Sequence, residues 1–576
     1  MGVNAKKPLW TSMAVAVALS LTVAACSNGN NGGNNNSNSS TAPSSNATAT
    51  NSGNAASPGA TEEALKPIEI SAFIGAPGQQ PTPDNKLFKT IKNDLGITFK
   101  PEFLVGDLEQ KLGVMIAGGD YPDLITANPK LVTAGAVIPL EDLIEKYAPK
   151  LKEHYAKYWN RMKDPSDGHI YWLPNYGAYQ GDVNETYYSG PAFWIQKAVL
   201  KEFGYPKLQT LDEYMKLIRD YQAKYPEIDG QKTIGFTTLA SDWRTFGLLN
   251  APEHLTGHPN DGGVVVDNGV ASVFATADFS KTYYKELNSL YNEGLMDKEA
   301  FTQNYDQYLA KLTTGSVLGM FDQHWNFQTA EDSLNTQGKS DRTYVGFPLV
   351  YDTSTKDYYR DRAVINLNNG FGISVDAKDP QRIIQALEQL MDEKYQKMFT
   401  WGEEGVDYQV GADGKFTRTP EQRKNYEDPA WKLANLGDGI FGYLPKLEGT
   451  LSDGNATTPG GDPQEFYDSL KDVDKEVLNA YGHKTWTEFF SMPQDNPVYY
   501  PAWQIDLIDG SDASIANKKM TDASLKFLPR AIMSKPDQFD KVWQDYVNEY
   551  KKINVKAYED RINDQIQWRI QNWASQ

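Results

Sequence analysis

The sequence predicts an α/β fold, and three observations carry this prediction. Apolar stretches at residues 68–74, 97–103 and 124–125 have the pattern of strands. Apolar residues between these stretches recur at helical spacing, and glycines stand where each helix is expected to end. Because strands that alternate with helices are typical of parallel sheets, we expect a parallel sheet here. A chain of 576 residues is long enough for two or more packed domains.

The N-terminal residues read as a secretory signal. Lys6 and Lys7 form a charged region, and residues 13–25 form an apolar stretch that is too short for a membrane-spanning helix. Small residues precede Cys26, and residues 23–26 resemble the lipobox of bacterial lipoproteins. This resemblance implies cleavage before Cys26 and a diacylglyceryl group on its sulfur, and two acyl chains suffice for stable anchoring. The alternative is a secreted protein with an unmodified cysteine near its cleavage site.

Residues 27–63 consist almost entirely of Asn, Gly, Ser, Ala and Thr. Such a segment cannot bury enough apolar surface to offset the entropy of ordering, so we predict a disordered tether.

The formal net charge of −19 argues against nucleic acid as a partner, because phosphates need a basic face. The single cysteine excludes an intramolecular disulfide, and the spacing of cysteine and histidine indicates no zinc site.

The first two helices after the tether have clear boundaries in the sequence. Asp84 is expected to open a helix through Leu87 and Ile91, which Gly96 ends. A second helix is predicted over residues 108–117. The C-terminal end is also predicted to be helical, with Ser534 as a cap, Pro536 in the first turn and a second amphipathic helix over residues 558–573, and we interpret the apolar faces of these helices as packing surfaces.

Several short motifs then occur in a fixed order. They lie at residues 111–124 (KLGVMIAGGDYPDL), 138–143 (IPLEDL), 167–174 (DGHIYWLP), 193–204 (FWIQKAVLKEFG), 210–214 (TLDEY), 370–375 (GFGISV) and 401–408 (WGEEGVDY). In this order the motifs resemble those of extracellular solute-binding proteins of ABC importers, in particular the large sugar-binding type. The resemblance covers most of the chain after the tether. Thr210 and Glu213 also have the spacing of a capping box.

The resemblance implies a periplasmic-binding-protein-like fold with two lobes, a hinge and an interlobe cleft, and with extra C-terminal helices. The expected boundaries are 1–25 for the signal peptide, 26–63 for the lipidated cysteine and tether, 64–185 and 351–405 for the first lobe, and 186–350 and 406–576 for the second lobe and the C-terminal helices. The chain is expected to cross between the lobes near residues 177–190 and 350–370. The resemblance further implies a monomer on the extracytoplasmic face of the cell membrane, which delivers its ligand to the transmembrane subunits of an ABC permease.

One segment departs from the pattern of the larger relatives, which often carry an oxygen-rich calcium loop after the second-lobe helix. Here residues 225–232 read YPEIDGQK. Two separated acids and a lysine are too few oxygen ligands for a calcium cage, so we predict no metal at this place. No cofactor is predicted either.

Sugar binding requires aromatic rings that stack on the apolar face of a pyranose, together with planar groups that hydrogen-bond its hydroxyls. Tryptophans beside polar residues at strand ends or in loops are therefore the candidates for such contacts. Four places fit this description, and the candidate ligand-binding residues are Trp243 and Arg244, Asp322 and Trp325, Trp401 and Glu404, and Trp503. Ligands in α/β sheets bind beyond the carboxyl ends of strands, which favours the first two places.

The sequence contains none of the common catalytic motifs, such as a nucleophile elbow, a metalloprotease helix, a phosphate-binding loop or a dinucleotide fingerprint. We therefore interpret the protein as a binding protein that captures an oligosaccharide, and not as an enzyme. Two alternatives remain open. One is a lipid-anchored enzyme that degrades polysaccharides, because a pair of catalytic carboxylates cannot be recognised in one sequence. The other is a binding protein for a peptide or another solute.

Overall fold

Two four-stranded sheets, each with its own hydrophobic core, organise the fold. The computed structural model describes residues 65–181, 185–367, 369–437 and 439–573. The predicted signal peptide, Cys26 and the predicted tether lie outside these residues. Within the described residues no helix is both long and apolar enough to cross a bilayer.

The first sheet contains three parallel strands and one antiparallel strand. Its central strand Ile68–Ile74 pairs in parallel with Ile97–Phe103 on one side and with Leu124–Thr126 on the other. Phe371–Ile373 joins the edge of this sheet and runs antiparallel to Leu124–Thr126. The predicted return of the chain to the first sheet near residue 370 is therefore present in the structure.

The second sheet is mixed, whereas the three strands of the first sheet, for which the alternating pattern predicts a parallel sheet, do run parallel. Its central strands, Pro191–Gln196 and Val317–Gln323, pair antiparallel to each other. Ile234–Thr237 pairs in parallel with Val317–Gln323, and Tyr344–Phe347 pairs antiparallel with Pro191–Gln196. Strand direction depends on how the chain enters a sheet, and Pro191–Gln196 enters directly from a crossing segment rather than from a helix packed on the sheet.

Helices cover both sheets. Those that pack on the first sheet are Lys86–Leu95, Leu108–Gly118, Pro129–Thr133, Glu141–Tyr147, Pro149–Tyr155, Pro380–Leu390 and Glu393–Thr400. Those that pack on the second sheet are Lys197–Glu202, Leu211–Lys224, Phe246–Leu249, Ala251–Leu255, Asp278–Asn292, Tyr305–Leu312, His324–Thr336 and Asp472–Tyr481, with the C-terminal helices Asp512–Ile532, Phe539–Tyr550 and Val555–Trp573. The remaining helices are Pro420–Glu427, Pro429–Asn435 and Pro463–Ser469.

Part of the segment that the sequence analysis assigns to the second lobe packs with the first lobe instead. Ile440 and Leu444 are buried in the core of the first sheet. Leu447 contacts both this core and a small cluster formed by Trp401, Tyr408, Phe416 and Leu451. The chain rejoins the second core only at Val477. It therefore crosses between the lobes three times, and the third crossing lies after residue 451 instead of near residue 405, where the predicted lobe boundary lies, because residues 440–451 carry no periodic pattern.

The crossing segments are tied to each other next to the cleft. Tyr179–Gln180 from the first crossing pairs in parallel with Glu448–Gly449, which precedes the third crossing. The short strands Val264–Asp267 and Val270–Val273 form a separate hairpin, as do Gln409–Val410 and Phe416–Thr417.

Of the three helix caps that the sequence predicts, the one at Thr210 is present and those at Asp84 and Ser534 are not. Thr210 and Glu213 form the predicted capping box of the helix Leu211–Lys224. The helix Lys86–Leu95 is capped by Asn85 and not by Asp84, because the Asn85 side chain also donates hydrogen bonds to the carbonyls of Leu433 and Leu436. Ser534 does not cap the next helix, and its hydroxyl donates to the Ala531 carbonyl at 2.8 Å.

Candidate functional site

A cleft of about 710 Å³ lies along the three crossing segments. Its walls come from the described segments 176–179, 185–191, 359–366, 448–466 and 500–504, together with Asn260, Gln323 and Gln328 of the second lobe. Amides, hydroxyls and tyrosine rings dominate these walls. Two of the tyrosines are well exposed for aromatic residues, Tyr176 at 43% and Tyr187 at 40%. Because the cleft lies next to the crossings, a movement of one lobe against the other would change its width.

Asp361 occupies one wall of the cleft. Its Oδ2 accepts a hydrogen bond from the Tyr500 hydroxyl at 2.6 Å, while its Oδ1 is buried without a hydrogen bond of normal geometry among the described residues. Burial raises the pKa of the Asp361 carboxyl to about 7, and the neighbouring Asp261 adds to this rise while the Tyr500 hydrogen bond opposes it. The Asp261 carboxyl accepts from the Ala502 N–H at 2.7 Å, and burial raises its pKa to about 6.

An exposed aromatic group lies on the second lobe beside the cleft. The rings of Trp243 and Trp325 stack with centroids 5.8 Å apart and an interplanar angle of 8°. They remain 63% and 43% exposed, and Phe246 packs against both rings. The indole N–H of Trp325 donates to Gln323 Oε1 at 2.7 Å, and Gln323 lines the cleft. The structure therefore brings two of the four predicted tryptophans together on the second lobe.

Trp503 connects the cleft to a second cavity. This cavity has a volume of about 320 Å³, and both Trp503 and Trp243 line it. Trp503 is 47% exposed and also lines the main cleft. Gly262 packs against it with φ of +81°, and a Cβ at this position would lie 3.1 Å from the Trp503 Cβ. A side chain at residue 262 would thus push Trp503 away from the second cavity.

Arg244 is held in place by protein groups on several sides. Its guanidinium lies 3.9 Å from the centroid of the Tyr305 ring and 4.5 Å from that of Trp243. Its Nε donates to Asn326 Oδ1 at 3.1 Å, and its Nη1 pairs with Asp242 at 2.8 Å. These contacts indicate that Arg244 orients Trp243 and leaves few donors for a ligand.

Asp322 is a buried acceptor and does not face the cleft, which corrects the expectation that it meets a ligand. It is 1% exposed. Its carboxylate accepts from the Tyr308 hydroxyl at 2.6 Å and from Asn326 Nδ2 at 3.0 Å. Burial raises the pKa of Asp322 to about 6, against the opposing effect of these hydrogen bonds. Asp322 belongs to the strand Val317–Gln323 rather than to a loop after it, and the strand carries this side chain into the core.

Trp401 and Glu404 also lie away from the cleft, which corrects the third predicted place. Trp401 is 1% exposed and packs against Phe416 and Tyr408. Its indole N–H donates to the Ala456 carbonyl at 3.0 Å, so no face of the ring is open to a sugar. Glu404 is exposed and belongs to the turn that bridges to Tyr408.

Most residues that line the cleft were not singled out in the sequence. Tyr187, Tyr359, Arg360, Asp361 and Glu448 lie on or beside the crossing segments. Four of these five residues lie in the segments where the sequence predicts crossings, 177–190 and 350–370. The predicted crossings are therefore the only feature of the sequence analysis that pointed to these residues. Their side chains carry no motif of their own, so only the packing of the crossings shows which of them face the cleft.

Residues 227–232, in the segment for which the sequence predicts no metal, form a tight hairpin. Glu227–Ile228 pairs antiparallel with Gln231–Lys232, and Asp229 and Gly230 turn the chain with φ of 50° and 74°. The Asp229 carboxylate forms an ion pair with Lys339 at 2.9 Å. Within the described residues no group of three or more His, Cys, Asp or Glu side chains is arranged to hold a metal ion.

The chain is similar to bacterial solute-binding proteins. A family model described as bacterial extracellular solute-binding protein matches residues 86–402, more than half of the chain. The fructooligosaccharide ABC transporter substrate-binding protein FusA of Streptococcus pneumoniae serotype 4 is 27% identical over 355 residues, which cover 57% of this chain and 61% of that protein. The polygalacturonan/rhamnogalacturonan-binding protein YtcQ of Bacillus subtilis strain 168 is 22% identical over 524 residues, covering 84% of this chain and 89% of that protein.

Solved structures with the same fold cover nearly all of the described residues. The structure of S. pneumoniae FusA in complex with kestose superposes with a TM-score of 0.62 at 20% identity, covering 88% of this chain and 100% of that chain. A solute-binding protein from Bifidobacterium longum infantis, described as associated with an ABC transporter and as binding HMO, gives a TM-score of 0.60 at 18% identity, covering 87% and 99% of the two chains. These likenesses establish the two-lobe binding-protein fold.

Proposed function

Because the chain belongs to the bacterial extracellular solute-binding protein family, we propose that it captures an oligosaccharide in its interlobe cleft and delivers it to the transmembrane subunits of an ABC importer. The observation that carries this proposal is the cleft along the crossing segments, with exposed tyrosines and Trp503 on its walls. Rings of this kind offer flat apolar surfaces to a sugar, and the amide and carboxyl groups beside them can bind its hydroxyls. The names of the curated relatives, which refer to fructooligosaccharide and pectic ligands, support a carbohydrate over a peptide.

The proposal includes capture without chemical change. In a binding protein, closure of the lobes around the ligand supplies both affinity and the signal to the permease, so the ligand should be released intact. Isothermal titration against a panel of oligosaccharides tests the binding step. Incubation of the same mixtures followed by an assay for new reducing ends tests the chemistry. New reducing ends would contradict the proposal and favour a degrading enzyme, and binding of peptides but no sugar would also contradict it.

We further propose that the protein is anchored on the extracytoplasmic side of the cell membrane through a lipidated Cys26. Support comes from the charged and apolar N-terminal stretch and from the small residues before Cys26. The Cys26→Ala variant should fold and should be released from washed membranes, whereas the parent protein should stay with them. Retention of the variant in the membrane fraction would contradict this anchor without affecting the proposed ligand.

Delivery to a permease predicts a phenotype in cells. A strain that lacks this protein should lose uptake of the labelled oligosaccharide that binds in titration, and expression of the parent chain should restore it. Normal uptake in the deletion strain would show that the protein is not the capturing component of the importer. Small-angle scattering adds a structural readout, because hinge closure should reduce the radius of gyration when the binding oligosaccharide saturates the protein.

A further inference from the structure

We infer that the cleft selects against anionic sugars, that its ligand is therefore a neutral oligosaccharide, and that Asp361 is a specificity-determining residue. This inference rests on the proposed function and names the substrate class of the same site. It follows from the charges of the described residues on the cleft walls and from the ion pairs that those charges form.

Carboxyl groups outnumber cations on the described walls of the cleft. The acids are Glu185, Asp361 and Glu448, and the cations are Arg360 and Arg362. An anionic sugar would need guanidinium or ammonium groups that are free to meet its carboxylates. The availability of the two arginines therefore decides whether such a sugar fits.

Both arginines are already paired with carboxylates of the protein. Arg360 Nε lies 2.9 Å from Glu185 Oε2, and its side chain is only 10% exposed. Arg362 Nε lies 2.7 Å from Asp495 Oδ1, and this pair is open to solvent with side-chain exposures of 57% and 92%. The pair of Arg360 and Glu185 has no net charge, and both residues line the cleft. The charge of Arg362 is neutralised by Asp495, which does not line the cleft. Neither arginine adds a free positive charge.

Two carboxyl groups remain on the walls without a cation within 4.0 Å in the described part of the chain, Asp361 and Glu448. Glu448 Oε2 accepts from the Gly177 N–H at 2.6 Å, and burial raises the pKa of this carboxyl. Asp361 has the Tyr500 hydroxyl as its hydrogen-bond donor at 2.6 Å. Hydrogen bonds from neutral donors hold these groups in place but leave their negative charge uncompensated.

More acid lies behind Asp361. Asp261 is 3% exposed, and Glu253 is fully buried with no hydrogen bond to either carboxyl oxygen among the described residues. The charges of Asp261 and Asp361 add to the effect of burial in raising the pKa of Glu253. The cation whose charge acts on Asp261 is Arg569, which is itself engaged with the carbonyls of Tyr499 and Pro501 at 2.7 Å. Arg569 is therefore occupied, and Glu253, whose pKa is raised by its burial, adds no negative charge of its own, so the charge of this wall rests on Asp361 and Asp261.

A carboxylate brought into such a cleft meets like charge in a medium of low dielectric constant, which costs binding free energy and cannot be offset by a free cation. A neutral sugar pays no such penalty, because its hydroxyls and ring faces interact with the amides, hydroxyls and aromatic rings. The arrangement therefore discriminates by repulsion rather than by an additional attraction.

Titration of neutral and acidic trisaccharides tests the inference directly. The neutral set is kestose, maltotriose, xylotriose and mannotriose, and the acidic set is trigalacturonate and trimannuronate. We expect binding only within the neutral set at pH 7.5. Tighter binding of an acidic trisaccharide than of any neutral one would overturn the inference while leaving the proposed function in place. Failure of every sugar to bind would count against both.

A matched ligand pair separates charge from shape. The neutral trisaccharide that binds most tightly is compared with the same sugar oxidised to its uronate. Oxidation should raise the dissociation constant at least tenfold at 20 mM NaCl. This factor, the ratio of the dissociation constants of the uronate and the neutral sugar, should be smaller at 500 mM NaCl because salt screens repulsion between charges. A factor that does not respond to salt would identify a steric effect and would overturn the inference.

Two variants assign the effect to Asp361. Asp361→Asn should reduce the tenfold difference in affinity between the neutral sugar and its uronate to about threefold. Asp220→Asn is the control, because Asp220 is an exposed acid on the helix Leu211–Lys224 that pairs only with Lys216; this variant should keep the full factor. An unchanged factor in Asp361→Asn, in a variant whose melting temperature shows that it is folded, would remove Asp361 from the specificity.

Discussion

The Arg161 guanidinium lies 4.4 Å from the centroid of the Trp573 ring, and this contact joins the two lobes. Arg161 precedes Met162 of the first core, whereas Trp573 ends the helix Val555–Trp573 of the second. Arg161 Nη2 also donates to the Tyr500 carbonyl at 2.6 Å, and Arg569 lies 4.6 Å from the same indole ring. Trp573 thus lies beside two guanidinium groups, next to the loop that carries Tyr500 into the cleft.

Removal of Arg161 should loosen this contact between the lobes. Arg161→Ala loses one cation–π contact and one charge-assisted hydrogen bond, which together stabilise by about 2 kcal/mol. We expect a lower free energy of unfolding in urea and a larger radius of gyration of the ligand-free protein. Lys216→Ala, which removes an exposed helical ion pair, is the control and should change neither quantity. Equal radii for Arg161→Ala and the parent would show that other contacts hold the lobes together.

Trp325 should contribute to binding and little to stability. Its ring is 43% exposed and stacks on Trp243 beside the cleft. Trp325→Ala should lower oligosaccharide affinity by about 1–3 kcal/mol, the order of one aromatic contact, with only a small change in melting temperature. Calorimetric titration and thermal melts on the same variant check this. Unchanged affinity would mean that the ligand does not reach this aromatic group.

Trp401, in contrast to Trp325, should contribute to stability and not to binding. It is a tryptophan with acidic neighbours in sequence, but it is buried against Phe416 and Tyr408. Trp401→Ala should cost about 3–5 kcal/mol of stability because it empties a packed site, while the affinity of the folded fraction stays the same. A melting temperature equal to that of the parent would contradict the packing role.

Asp322 should matter to folding rather than to the ligand. Asp322→Ala leaves the Tyr308 hydroxyl and the Asn326 amide in the core without their acceptor. Each buried donor without a partner costs about 1–3 kcal/mol, so unfolding in urea should occur at a lower concentration. Asp322→Asn keeps the shape and one acceptor oxygen and should lose less. A loss of affinity in Asp322→Asn without loss of stability would restore the expectation that Asp322 contacts the ligand.

The contribution of Asp361 and Asp261 to the free energy of unfolding should fall as the pH rises from about 4 to 7. The folded pKa of Asp361 is about 7 and that of Asp261 about 6, both above the ordinary value of 3.8, so the folded state binds more protons than the unfolded state in this range. The contribution is complete below pH 4 and is lost as the pH passes the folded pKa of each group. The slope has an upper limit of about 1.4 kcal/mol per pH unit for each carboxyl.

Urea unfolding at pH 5.0, 6.0 and 7.5 measures this slope. Asp361→Asn should flatten it between pH 6.0 and 7.5, because the amide does not titrate. The exposed control Asp220→Asn should leave the slope unchanged. An identical pH profile for the parent and Asp361→Asn would show that Asp361 ionises in the folded protein as it does in the unfolded chain.

The local part of the fold could be predicted because it depends on near neighbours. The strand Ile68–Ile74, the glycine end of the helix Lys86–Leu95 and the capping box of Thr210 and Glu213 all follow from residues within one or two turns of each other. The direction of strands in the second sheet does not, since it is set by where distant segments enter the sheet.

The sequence by itself determined the chemistry that is available, and the tertiary structure decided which of it is exposed. Trp325 and Trp401 look alike in sequence, each beside acidic or polar residues. Phe416 of the neighbouring hairpin and Leu451 cover Trp401, and Leu451 does so because residues 440–451 return to the first lobe. No segment in the described part of the chain covers Trp325 to the same degree. Burial depends on contacts between residues far apart in the chain, and a pattern read along one strand or helix does not contain them.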